Sequence, residues 1–118
     1  MAQVPNPKYD LEARTKAFAL ECRDYVKSLP VSVSHRVYAD QLIRSSSSPG
    51  ANYIEANESL SKKDFVMRIK ICRKEAKESV YWLDLTQPNR AYEPEKGKLI
   101  DEARQLVKIF NAIIEKSK

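Results

Sequence analysis

Residues 44–58 read "RSSSSPGANYIEANE", and the fold turns on whether they are a linker or a helix. Four serines, a proline and a glycine would suit a flexible joint that splits the chain in two. The alternative is a helix with almost no side-chain bulk. Val33, Val37, Leu42 or Ile43, Ser46, Gly50, Ile54 and Asn57 keep a rhythm of threes and fours through Pro49. A linker has no reason to hold that phase, so the spacing predicts a long helix over about 33–59, bent near Pro49. Pro49 has no N–H, so the carbonyl of Ser45 loses its partner; an interior proline costs about 3 kcal/mol unless packing recovers it. The other reading is a break, with Ser48 as N-cap and Pro49 in the first turn of a new helix.

Three further stretches carry helical periodicity. In "DLEARTKAFALECRDYVKSL", Leu11, Phe18, Cys22, Tyr25 and Leu29 share a face, Asp10 can cap, and Pro30 stops the run, giving a helix over about 10–29. In "KKDFVMRIKICRKEAKESVYWLDL", Phe65, Ile69, Cys72, Ala76, Val80 and Leu83 form an apolar stripe over about 63–85. Residues 86–94, "TQPNRAYEP", read as a loop. In the last stretch Leu99, Ala103, Leu106, Phe110 and Ile113 step by fours and threes over about 95–116. Four amphipathic helices with mostly short connections predict an all-α, antiparallel up-down four-helix bundle, filling one domain over 1–118. The thin segment at 45–51 then lets a neighbour approach closely, and Trp82, the sole tryptophan, is the large side chain offered to it.

Composition agrees. The chain has 118 residues and only two glycines, with 42% hydrophobic and 31% charged residues. No window nears the roughly 18 apolar residues of a membrane span. The opening "MAQVPNPKYD" lacks the basic start and apolar run of a signal peptide, so a cytoplasmic location is expected. Cys22 and Cys72 have no metal-ligand spacing and apolar neighbours, which predicts buried free thiols.

Several chemistries fail on the residues present. With one histidine, His35, there is no Glu-x-x-His pair for a di-metal bundle, no Arg-x4–6-His ribonuclease motif and no serine–histidine–acid grouping. His35 is expected at the surface in the first turn of the second helix. No glycine-rich phosphate loop exists. No catalytic residue, metal or cofactor is expected.

Charge is uneven. Net charge is +5, and residues 61–80 alone hold seven Lys/Arg against three Asp/Glu. Lys63, Lys70, Lys74 and Lys77 lie in one arc of the third helix, with Lys62 at its start. They are candidate nucleic-acid contacts, although Glu75 and Glu78 on the same helix could neutralise them. Asn52 and Glu55 are polar on a helix of small and apolar residues. With Arg44, and with Arg73 and Glu75 on the next helix, they predict a hydrogen-bond network that fixes helix register; a polar opening for a ligand is the alternative.

These residues carry a resemblance. "QLIRSSSSPGANYIEA" followed by "KKDFVMRIKICRKEAKESVYWLDL" resembles the bacterial 23S ribosomal RNA intervening-sequence proteins, also called the four-helix-bundle protein family. The family pattern has an arginine and small residues before Asn-x-x-Glu, here Arg44, Asn52 and Glu55. It continues with Lys74, Glu75, Ala76, Glu78 and Ser79, then Tyr81, Trp82 and Leu83. Two features depart from it: Ser48 stands where an apolar residue precedes the proline, and "EAN" replaces the usual Glu-Gly. The resemblance covers about residues 10–115. It implies a ring-like homopentamer of four-helix bundles without catalytic activity. A related group, the accessory variability proteins of diversity-generating retroelements, binds nucleic acid and a reverse transcriptase. RNA or DNA, a nucleic-acid enzyme, and other copies of the chain are therefore the partners it implies. A protein-interaction scaffold without nucleic acid is the alternative.

Overall fold

The computed structural model describes residues 10–118; the opening "MAQVPNPKY", read above for a missing signal peptide, lies outside them. Four helices follow in order: α1 Leu11–Lys27, α2 Val33–Asn57, α3 Lys62–Leu85 and α4 Glu93–Lys116. Three start where a polar side chain takes an orphan amide. Asp10 accepts from the N–H of Ala13, Ser32 from His35 and Ser61 from Asp64, at 2.9–3.1 Å. A single 3-10 turn, Arg90–Tyr92, occupies part of the expected loop and leads into α4, whose first turn holds Pro94.

The serine stretch is helix. α2 runs unbroken through Pro49, so the break at Ser48 does not occur. The serines tolerate this because their hydroxyls bond back one turn: Ser45 to the carbonyl of Leu42, and Ser46 and Ser47 to that of Ile43.

α2 packs on α1 and α3, α3 also packs on α4, and α1 meets α4 along the thinnest seam. Rising numbers on α2 meet falling numbers on α3: Tyr38 with Trp82, Ser45 with Ser79, Pro49 with Cys72, Asn52 with Arg68. Phe18, Ile69, Ala76, Leu83, Leu106 and Phe110 are buried in one core, as their stripes predict. Both cysteines are buried free thiols. Burial pushes each up to about 12, leaving almost no thiolate.

Three expectations need correction. First, the buried face of α2 is not the one its branched residues suggest. Val33, Val37, Ile43 and Ile54 are exposed. The inner line is His35, Leu42, Pro49 and Ala56, spaced by sevens, with Ser45 and Ser46 beside it. Bulk would hold the neighbours apart, so small residues take the inner positions.

Second, Trp82 is not what fills the thin segment. It sits near Tyr38, with ring centres 6.4 Å apart, two turns from Ser45. The small residues instead admit neighbouring helices. A Cβ built on Gly50 would lie 3.0 Å from Oγ1 of Thr15 on α1. The hydroxyls of Ser45 and Ser79 meet at 2.9 Å, and the Cys72 thiol reaches the Pro49 carbonyl at 3.3 Å.

Third, His35 is buried rather than on the surface. Its Nδ1 lies 2.7 Å from the carbonyl of Pro30, and its Nε2 accepts the backbone N–H of Gln87 at 3.0 Å. Those partners require the neutral ring with its proton on Nδ1. The imidazole thereby ties the α1–α2 connection to the segment after α3. Beside it the Tyr25 hydroxyl meets Thr86 Oγ1 at 2.7 Å, while Thr86 donates to the carbonyl of Leu83. Lys96 closes the same end, donating to the carbonyls of Asp84 and Thr86.

The seam at Gly50 is directly testable. Gly50→Val forces two methyl groups against Thr15 and should cost about 1–3 kcal/mol in urea unfolding. Gly50→Ala combined with Thr15→Ala should recover most of that, since the obstructing hydroxyl is gone and alanine favours helix by about 0.5–1 kcal/mol over glycine. An unaltered urea midpoint for Gly50→Val would mean that α1 does not constrain α2 there.

Candidate nucleic-acid interface

The predicted lysines lie on the solvent side of α3. Lys62, Lys63, Lys70, Lys74 and Lys77 are all exposed. The fold adds what the sequence reading missed, because α4 brings Arg104 and Lys108 alongside. Three adjoining grooves make one strip. The first holds Lys62, Lys63, Val66, Met67 and Lys70. The second shares Lys70 and continues through Arg73, Lys74, Lys77 and Tyr81 to Val107 and Asn111 of α4. The third shares Lys77 and Val107 and ends at Arg104 and Lys108. Eight basic residues against two acidic ones, Glu78 and Asp101, line the strip. That density exceeds an ordinary mixed-charge helix face.

Neutralisation by Glu75 and Glu78 is weaker than expected. The ion pairs among the described residues lie elsewhere, at Arg14–Glu102, Arg23–Asp24–Lys27 and Glu115–Lys118. Glu75 is raised above the ordinary carboxylate range, first by burial, then by the charge of Glu78 and a hydrogen bond with it. Lys74 and Arg44 pull it back only in part. So Glu78 bears on Glu75 by repulsion, and neither acid makes an ion pair with these lysines among the described residues.

The five polar residues of the expected network are not brought together as one. Asn52 donates to the carbonyl and hydroxyl of Ser48, and its Oδ1 accepts from Arg68 at 3.1 Å. Arg73 turns the other way and donates to Asn111 Oδ1 on α4 at 2.7 Å, inside the basic strip. Glu75 feels Arg44 across the α2–α3 interface. Glu55 is exposed. Arg68 and Asn111, the actual partners, gave no signal in the sequence because each is an ordinary polar residue on an outer face.

One polar closure lies between α1 and α4. Arg14 forks onto Glu102 with two bonds of 2.8 Å and reaches Gln105 at 2.9 Å. The hydrogen bond with Glu102 raises the Arg14 guanidinium above its ordinary value. Among the described residues no cluster of His, Cys, Asp and Glu is placed to hold a metal ion, and no helix is long and apolar enough to cross a membrane.

Glu75 gives a pH test. Its folded pKa lies above its unfolded one, so the folded state binds more protons and loses stability as pH rises through the carboxylate range. Glu75→Gln should therefore raise the urea midpoint modestly near neutral pH. The gain should vanish below the ordinary carboxylate range, where both side chains are neutral. A loss of stability near neutrality would mean that the Glu75 charge is held by Lys74 and Arg44 after all.

Comparison with known proteins agrees with this architecture. No curated protein matches the chain. Among solved structures it is similar to a protein of unknown function from the S23 ribosomal protein family of Bacteroides thetaiotaomicron, with 26% identity and a TM-score of 0.73 over 87% of this chain and 96% of that one. Residues 8–112 match the 23S rRNA-intervening sequence protein family, and the chain belongs to that family.

Proposed function

We propose that this protein is a non-enzymatic, homo-oligomeric bundle of the cytoplasm that binds nucleic acid through the α3–α4 strip with little sequence preference. The observation that carries this reading is the convergence of two helices. Lys70, Arg73, Lys74 and Lys77 on α3 share a continuous groove with Arg104 and Lys108 on α4. Flexible cations in a groove suit phosphates, which supply affinity without base information. One such strip binds weakly. Copies in a ring, the pentamer that the family resemblance implies, add by raising effective concentration.

A separate surface supports self-association. The opposite α1–α2 groove is lined by Ala13, Ala19, Gly50, Ala51 and the half-exposed Ile54, with Asp10, Glu12 and Lys16 beside them. In a bundle where α2 lies between α1 and α3, this face points away from the α3–α4 strip, so both can be used at once.

The test is fluorescence polarisation with labelled RNA and DNA at several salt concentrations, with sedimentation to fix the oligomer. Log affinity should fall linearly with log salt, by about 0.9 per duplex phosphate contacted. Lys70→Gln with Lys77→Gln should weaken binding to all sequences alike, and Arg104→Gln with Lys108→Gln should do the same. Neither pair should alter the sedimentation coefficient. Ile54→Glu should reduce the oligomer and weaken binding with it. No binding at low salt by the intact oligomer would favour a protein-interaction scaffold instead.

A further inference from the structure

The middle groove of the strip carries an aromatic ring. Tyr81 is 57% exposed and lines the same groove as Lys70, Lys74 and Lys77. Lys74, Lys77 and Tyr81 step by three and four, so one edge of α3 reads cation, cation, ring. Trp82 meets Tyr81 edge-to-face, with ring centres 5.1 Å apart and planes at 74°, and Trp82 is braced in turn by Tyr38. The ring is thus held in place from one side while most of it faces solvent. One edge of this aromatic packs on Trp82, and the rest of it stands exposed beside four basic residues.

We infer that the α3–α4 groove takes a single strand of RNA, with its phosphates on the lysines and one unpaired base stacked on Tyr81. This rests on the nucleic-acid reading above and narrows it. The argument for a single strand is geometric. Bases in a duplex are already stacked and paired, so an aromatic ring on a helix edge cannot reach a base face without melting the pair. An unpaired base stacks on a ring whatever its identity. Val80 and Val107 supply an apolar floor that suits a base or sugar better than a phosphate.

The argument for RNA comes from two polar groups in the same groove. Arg73 occupies Asn111 Oδ1, and among the described residues no acceptor takes the Asn111 amide N–H groups. Glu78 places a carboxylate among the lysines. It repels phosphate but accepts well from a hydroxyl. The groove thus offers a ribose 2′-OH a donor at Asn111 and an acceptor at Glu78, neither of which deoxyribose can use.

The experiment titrates the intact oligomer at low salt with three fluorescein-labelled probes: an unstructured RNA strand, the DNA strand of the same sequence, and the RNA annealed to its complement. The RNA strand should bind most tightly. Tyr81→Ala should weaken it by about five-fold or more, the loss expected for one stacked base. Tyr81→Phe should retain most of the affinity, and duplex binding should be insensitive to either change. Emission from Trp82, the only tryptophan, should shift when the RNA strand binds, and the shift should be lost in Tyr81→Ala. Equal affinity for strand and duplex, or an unchanged affinity in Tyr81→Ala, overturns the stacking inference while leaving the basic-groove reading intact. Equal affinity for the DNA strand overturns the assignment to RNA. Failure to bind any of the three probes removes the nucleic-acid reading itself.

Discussion

Close approach at α2 is the constraint on which the bundle depends. Between Ser45 and Gly50 the inner side of α2 carries hydroxyls, a proline ring and a hydrogen atom, so α1 and α3 come in until Thr15 and Ser79 touch it. A helix this thin surrenders the bulk that usually drives burial. It gains dispersion contacts along the backbone and a short polar seam instead. That seam stays satisfied because every buried hydroxyl has a carbonyl one turn away or a second hydroxyl across the interface. The interior Pro49 fits the same logic: it is fully buried, and its carbonyl is met by the Cys72 thiol.

The ends of the bundle are fixed by different means. At the connection between α1 and α2 only Leu29 packs against the core. There a single imidazole bridges Pro30 and Gln87, and the Tyr25–Thr86 hydroxyl pair and Lys96 cap the last carbonyls of α3. Truncating one partner would leave buried donors or acceptors unmet, which costs more than the bond itself contributes. Across the remaining seam, α1 and α4 are joined by the Arg14–Glu102 fork, whose partial exposure limits its worth.

On the α3–α4 surface Arg73 is tied to Asn111 of α4, whereas Lys70, Lys74 and Lys77 beside it have no hydrogen-bond partner among the described residues. The cations of this surface make no ion pairs among the described residues, and Tyr81 faces solvent while Trp82 beside it is half-buried. Within one dipeptide the two aromatics touch edge-to-face, the tryptophan half-buried and the tyrosine exposed. The indole N–H of Trp82 is buried without an acceptor among the described residues, which marks that ring as held by shape rather than by hydrogen bonding.

The sequence alone determined four helices, three of their four apolar faces, the Asp10 cap and the continuity of α2 through Pro49. Each of these is a local matter of periodicity or of one side chain reaching an amide three residues on. What it misjudged was where helices meet. The inner face of α2 was read only in part: Leu42, Ser46 and the small residues at 45–51 lie where expected, but hydropathy also pointed to Val33, Val37 and Ile54, whereas distance between helices selects His35, Ser45 and Pro49. His35 gave no sign of burial, since its partners lie five residues before it and fifty-two after. The lysines of α3 were legible as a charged arc, with Tyr81 in step with Lys74 and Lys77, but Arg104 and Lys108 joined them only through the packing of α3 on α4. Periodicity is written along one helix; a groove belongs to two, and only the tertiary structure decides which two.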